Sequence, residues 1–112
     1  MKEFQNKVAV ITGAGGGVGS ALALKLAGHG CNLALVDIAD EALARVASRL
    51  ADNNVRVSTH QVDITDKRQM AALPTAVLAQ HEKVNILVNN AGITYQKSFA
   101  THTLEDLSLI HI

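Results

Sequence analysis

The stretch "TGAGGGVG" (Thr12–Gly19) stands between two apolar runs, "KVAVIT" (Lys7–Thr12) and "VGSALALKLAGHG" (Val18–Gly30). The first run is β-rich and almost continuously apolar, as a strand buried on both faces should be. The second reads as a helix with Gly28 and Gly30 as stop signals. A glycine-rich turn that leaves a buried strand and opens a helix lies where open α/β sheets bind ligands. The free N–H groups and positive dipole end of such a helix suit a phosphate, and glycine leaves room for a pyrophosphate to approach the backbone.

The same alternation continues along the chain. "NLALVD" (Asn32–Asp37) reads as a second buried strand. Asp40 is the expected N-cap of a helix through Leu50, with Leu43, Val46, Ala47 and Leu50 forming an apolar stripe. "VRVSTHQVD" (Val55–Asp63) alternates as a third strand, and Asp66 can cap the next helix. Pro74 removes a donor from that helix and predicts a kink or restart. "VNILVNN" (Val84–Asn90) is a fourth strand, followed by a loop over 91–102 and a helical start near Leu104. Strands alternating with helices predict an α/β fold with a parallel sheet.

Apolar residues make up 48 % and charged residues 18 % of the 112-residue chain, which places it among globular domains. Lys plus Arg number 10 and so do Asp plus Glu, so no basic surplus points to nucleic acid or a membrane surface. No apolar stretch approaches the ~18 residues of a membrane span. Cys31 is the one cysteine, so no internal disulfide forms. It reads as a buried structural thiol, and a cytoplasmic setting is expected.

Spacing sorts the glycines. A Walker loop needs Lys-Ser/Thr after its last glycine, but Ser20 and Ala21 follow Gly19. The G-x-G-x-x-G pattern started at Gly15 meets Ser20 in its third glycine position. T-G-x-x-x-G-x-G does fit, with Thr12, Gly13, Gly17 and Gly19, leaving Gly15 and Gly16 in variable positions. Asp37 ends the second strand close to the roughly 20-residue offset at which an acidic side chain accepts from the adenosine ribose. A carboxylate there repels a 2′-phosphate. Neither Gly16 nor Ile38 supplies a cation to attract one, which favours NAD over NADP.

These residues, with "VDITD" (Val62–Asp66) and "ILVNNAGI" (Ile86–Ile93), resemble the short-chain dehydrogenase/reductase family from Lys7 to Asp106. The resemblance implies the N-terminal half of a Rossmann-type doubly wound parallel sheet, strand order 3-2-1-4 with flanking helices. It implies that the Thr12 hydroxyl ties the first loop to the fourth-strand motif. Gly13, Gly15, Gly16, Gly17, Val18 and Gly19 would wrap the pyrophosphate, the Val18 amide facing a phosphate. Asp37 and Ile38 would flank the adenosine ribose, Asp63 and Ile64 the adenine. Asn90, Ala91 and Gly92 would lie along the cofactor's ribose, and Asn89 would brace the sheet.

The family's reaction is hydride transfer between nicotinamide and an alcohol or carbonyl, with a tyrosine acid/base assisted by a lysine four residues later. Tyr95 is the single tyrosine, and Phe99 stands four residues on. No catalytic residue is therefore assigned, and the chain alone is expected to be inactive. The alternative is a non-catalytic dinucleotide-binding module. The five histidines, on separate elements, read as solvated or capping residues and not as a metal site. Residues 1–106 are taken as the NAD(P)-binding half-domain. Residues 107–112, "LSLIHI", read as the start of the next helix or as a non-native tail, since one frame of a transposon-type sequencing adapter encodes that peptide. A sheet ending at the fourth strand would leave an open edge. The expected partners are a small-molecule alcohol or carbonyl and, for the full-length protein, further copies of itself.

Overall fold

β1 (Val8–Thr12) is buried at every position, and the glycine stretch that follows it opens α1 (Gly17–Gly28). Then come β2 (Asn32–Asp37), α2 (Asp40–Arg49), β3 (Val57–Gln61), α3 (Lys67–His81) and β4 (Ile86–Asn89), with β5 at Ser108–His111. This computed structural model describes residues 2–90 and 108–111, with side chains over 3–90. Among them the strands form one sheet in the order β3-β2-β1-β4-β5, with every pairing parallel. The α/β class and the 3-2-1-4 core are those read from the sequence.

The unbroken apolar strands follow from burial on both faces. Ala9, Ile11, Leu33 and Leu35 pack with Leu26 of α1 and Leu43 and Val46 of α2. Their neighbours Val10, Ala34 and Val36 point the other way, onto Met70, Leu73 and Val77 of α3. Alternate residues of one strand thus enter two different cores, and neither face leaves a place for polar side chains. Edge strand β3 is only half covered, and its sequence alternates accordingly. Cys31 is fully buried at the start of β2, as expected, and burial pushes its thiol up to about 11.

Four expectations need correction. Asp40 is not the N-cap of α2. Ala39 holds that position and has no capping side chain. The Asp37 carboxylate accepts from Ala39 N at 2.9 Å instead, which leaves Asp40 and Glu41 as first-turn acids near the positive end of the helix. Of the kink or restart expected at Pro74, the restart does not occur: α3 runs as one helix from Lys67 to His81. Its ring is buried on the face that carries Met70, Leu73 and Val77, so packing against the sheet offsets the missing backbone bond. The cap of α3 is as read: Asp66 Oδ1 accepts from Arg68 N at 2.9 Å and from Gln69 N at 3.2 Å.

The third correction concerns the tail. Ser108–His111 is a strand, not the start of a helix, and runs in register from Ile86↔Ser108 to Asn89↔His111. The fourth follows from it: β4 is not an open edge. A short apolar run carries no period that separates helix from strand, and the unpaired backbone groups of β4 supply partners for a strand. The loop over 91–102 and the helical start near Leu104 lie outside the described residues.

Candidate functional site

The carboxyl ends of β1, β2 and β3 meet at an open cleft lined by Gly13, Asp37, Ile38, Val62, Asp63 and Ile64. The glycine turn forms one wall. Gly13 sits at φ +64°, a left-handed conformation that glycine adopts without a steric penalty. Its carbonyl accepts from Gly16 N at 3.1 Å and from Asn90 Nδ2 at 3.3 Å. A Cβ on Gly19 would drive into that same carbonyl, so α1 presses directly on the turn. At Gly17 nothing lies within 4 Å of where a Cβ would be. The Gly17, Val18 and Gly19 amides open α1 with no acceptor earlier in the helix, a ready cradle for an anion.

Thr12 binds this turn to the fourth strand. Its hydroxyl accepts from Asn90 N at 3.0 Å and lies 3.3 Å from the Val88 carbonyl, to which it donates. Asn89, 2 % exposed, lies beside it as a brace in the sheet. The Asn90 side chain is directed at the Gly13 carbonyl, so in this state it supports the loop. Ala91 and Gly92 lie outside the described residues.

Asp37 stands at the rim, held by two backbone donors: Gly15 N reaches Oδ2 and Ala39 N reaches Oδ1, each at 2.9 Å. Ile38, 60 % exposed, offers an apolar face beside it, and Val18 in the first turn of α1 is 57 % exposed. Across the cleft, Asp63 Oδ1 accepts from both Thr65 N (2.9 Å) and Thr65 Oγ1 (2.6 Å). The hydroxyl and amide of Thr65 hold the Asp63 carboxyl below its usual range. Asp63 Oδ2 and the Ile64 amide have no partner among the described residues. The cleft therefore offers an acceptor and a donor side by side.

A model of the family described as short chain dehydrogenase matches residues 7–110. The chain belongs to that family. Among the relatives of this chain is a putative oxidoreductase, SadH, of Mycobacterium tuberculosis, 36 % identical over 110 residues. That match takes in 98 % of this chain and 40 % of SadH. The uncharacterized oxidoreductase YxjF of Bacillus subtilis is 34 % identical over 107 residues, covering 93 % and 42 % of the two chains. A Burkholderia phymatum short-chain dehydrogenase/reductase solved with NAD superposes with TM-score 0.76 at 44 % identity, over 83 % of this chain and 33 % of that one. A metagenomic short-chain oxidoreductase solved with NADP gives TM-score 0.74 at 35 % identity, over 82 % and 42 %. The chain thus spans less than half the length of these relatives, which include both NAD- and NADP-bound members.

The structure brings Gly13, Asp37, Ile38, Asp63 and Ile64 to one cleft and ties Thr12, Gly15 and Asn90 to it by hydrogen bonds. Two features escaped that reading. Gln61 Nε2 donates to the Ile38 carbonyl at 3.3 Å and pins the segment after β2. His60 and His81, expected apart, both meet Ser58: Oγ lies 2.7 Å from His60 Nε2 and 2.8 Å from His81 Nε2. Burial lowers both imidazoles, and the neighbouring His60 and Arg56 charges lower His81 further. His81 is 5 % exposed, its buried Nδ1 has no well-formed hydrogen bond among the described residues, and the Leu33 backbone opposes the lowering. No spacing signal announces this cluster, because a strand and the far end of a helix supply it. No group of three or more metal-ligating side chains occurs among the described residues.

Proposed function

We propose that residues 1–106 are the dinucleotide-binding part of an oxidoreductase that moves a hydride between a nicotinamide and an alcohol or carbonyl. NAD is the favoured cofactor and NADP the less favoured one. The observation that carries this reading is the Asp37 carboxylate fixed beside a glycine turn whose first helical amides have no partner among the described residues. The open space at Gly17 and those amides suit a pyrophosphate. Thr12, Gly13, Gly15, Gly16, Gly17, Val18 and Gly19 form that cradle. Asp37 accepts from the ribose hydroxyls beside Ile38. The free Asp63 Oδ2 suits an exocyclic amino donor and the Ile64 amide a ring acceptor. Asn90, Ala91 and Gly92 line the path towards the second ribose.

When bound, the nicotinamide supplies or takes the hydride. This chain's own residues bind and orient. The family's catalytic serine, tyrosine and lysine find no match in its 112 positions, so the chain alone is inactive. In the full-length protein we place a small-molecule substrate, a homo-oligomeric assembly, and a cytoplasmic setting in keeping with the lone buried thiol. No described helix is long and apolar enough to cross a membrane. A second reading, a non-catalytic dinucleotide module, draws on Phe99 standing where Tyr95 would need its lysine.

Titration calorimetry with NADH and NADPH tests the main reading. NADH is expected to bind more tightly, and Asp37→Ala to erode that preference. Failure of both dinucleotides to bind the wild-type chain would refute it. Dehydrogenase activity in the full-length protein separates the enzyme from the module.

A further inference from the structure

The T-G-x-x-x-G-x-G pattern leaves position 15 variable, yet in this fold it is among the tightest. A Cβ there would lie 2.6 Å from the Ala42 methyl carbon and 3.0 Å from Asp37 Oδ2. The first separation is one that real Cβ atoms do not show. Gly15 is not at positive φ, so its backbone does not demand glycine, and the requirement is one of space.

We propose that Gly15 is a positioning residue: free of a side chain beneath Ala42, its amide holds Asp37 as an immobile anion and so enforces discrimination against a ribose 2′-phosphate. The inference rests on the dinucleotide reading above. Its physical basis is the double anchoring of one carboxylate. Gly15 N, from the phosphate turn, holds Oδ2, and Ala39 N, at the entry to α2, holds Oδ1. An aspartate on a free rotamer can swing aside and relieve its repulsion with a second anion. One fixed at both oxygens cannot, unless it surrenders charge-assisted bonds. Ala42, 8 % exposed in the first turn of α2, fills the space that a side chain at position 15 would need. Any side chain at position 15 must displace Asp37 or lift α2, and either movement lengthens the Gly15 N–Asp37 bond.

Because the constraint is space, space can be returned elsewhere. The experiment compares wild type, Gly15→Ala, Ala42→Gly and the double variant by titration with NADH and with NADPH. Gly15→Ala is expected to lose about tenfold of the NADH preference, the size expected from one charge-assisted hydrogen bond. Ala42→Gly alone lowers stability but leaves the ratio unchanged. The double variant regains most of the lost preference, which a merely structural defect would not do. An unchanged ratio in Gly15→Ala, or no recovery in the double variant, overturns the inference.

Amide exchange keeps the test independent of cofactor. If the wild-type chain binds neither dinucleotide, the proposed function fails, and the clamp is judged by exchange of the Gly15 amide measured by NMR. Exchange that is slow in wild type and at least tenfold faster in Asp37→Ala upholds the clamp. Equal exchange in the two overturns it.

Discussion

The Thr12 hydroxyl accepts from the Asn90 amide at 3.0 Å, across a sequence separation of 78 residues. This bond joins the start of the glycine turn to the end of β4, so the cleft depends on two distant segments keeping register. Thr12 is fully buried and Asn90 is half-buried, so the hydroxyl end of the bond cannot turn to water. Thr12→Val should therefore cost about 1–3 kcal/mol, because it takes the hydroxyl from the half-buried Asn90 amide and from the Val88 carbonyl. Thr12→Ser keeps the hydroxyl and should cost only about 1 kcal/mol for the lost methyl. Urea unfolding of the two variants checks this; equal losses would show that the hydroxyl contributes nothing.

Gly17 and Gly19 occupy equivalent places in the glycine pattern but should respond in opposite ways. Gly19→Ala forces a methyl into the Gly13 carbonyl and should destabilise the fold by several kcal/mol. Gly17→Ala meets open space and should be neutral or stabilising, by up to ~1 kcal/mol from helix propensity. The same Gly17→Ala should weaken NADH binding at least tenfold, since the methyl enters the space assigned to the pyrophosphate. Thermal melts with and without NADH distinguish the two, and a destabilised Gly17→Ala would sink the assignment.

Acid should weaken the fold through the Ser58 cluster. The folded-state pKa values of His60 and His81 lie below the ordinary 6.5, burial being the first cause. Between the ordinary and the folded values, the unfolded chain binds more protons than the folded one. Stability is then full above about pH 6.5 and falls as pH drops below it. His81→Leu removes one titrating ring while keeping an apolar group on the buried face, so its melting temperature should decline less between pH 7 and pH 5. A wild-type chain with a flat profile over that window would contradict this.

Removal of residues 108–112 should expose the backbone edge of β4, whose side chains are all buried. Such an edge recruits other chains. Sedimentation should show self-association of the shortened chain at concentrations where the 112-residue chain does not associate. Identical sedimentation of both would mean that the β5 pairing does not guard the edge.

What the sequence disclosed and what it withheld divide along physical lines. β1 and β2 were legible because both faces are covered and the apolar signal is unbroken. Asp66 was legible because a cap acts on amides two and three residues away. The need for glycine at position 15 was not, since it arises from Ala42, on an element that reaches the turn only through tertiary packing. Nor was the meeting of Ser58, His60 and His81, which depends on the far end of α3 lying over β3. Asp40 misled because Asp37 had already satisfied the entry to α2. The strand at Ser108–His111 owes its form to a neighbour, β4, more than to its own composition.

Cys31 gives the molecule a built-in clock. Its sulfur lies in the buried cluster where the chain enters β2, 0 % exposed, with burial raising the thiol to about 11. Alkylating reagents attack the thiolate, so the closed fold denies them both access and the reactive form. Labelling must wait for the sheet to part around β2. Its rate counts those openings one molecule at a time, with no probe added to the chain.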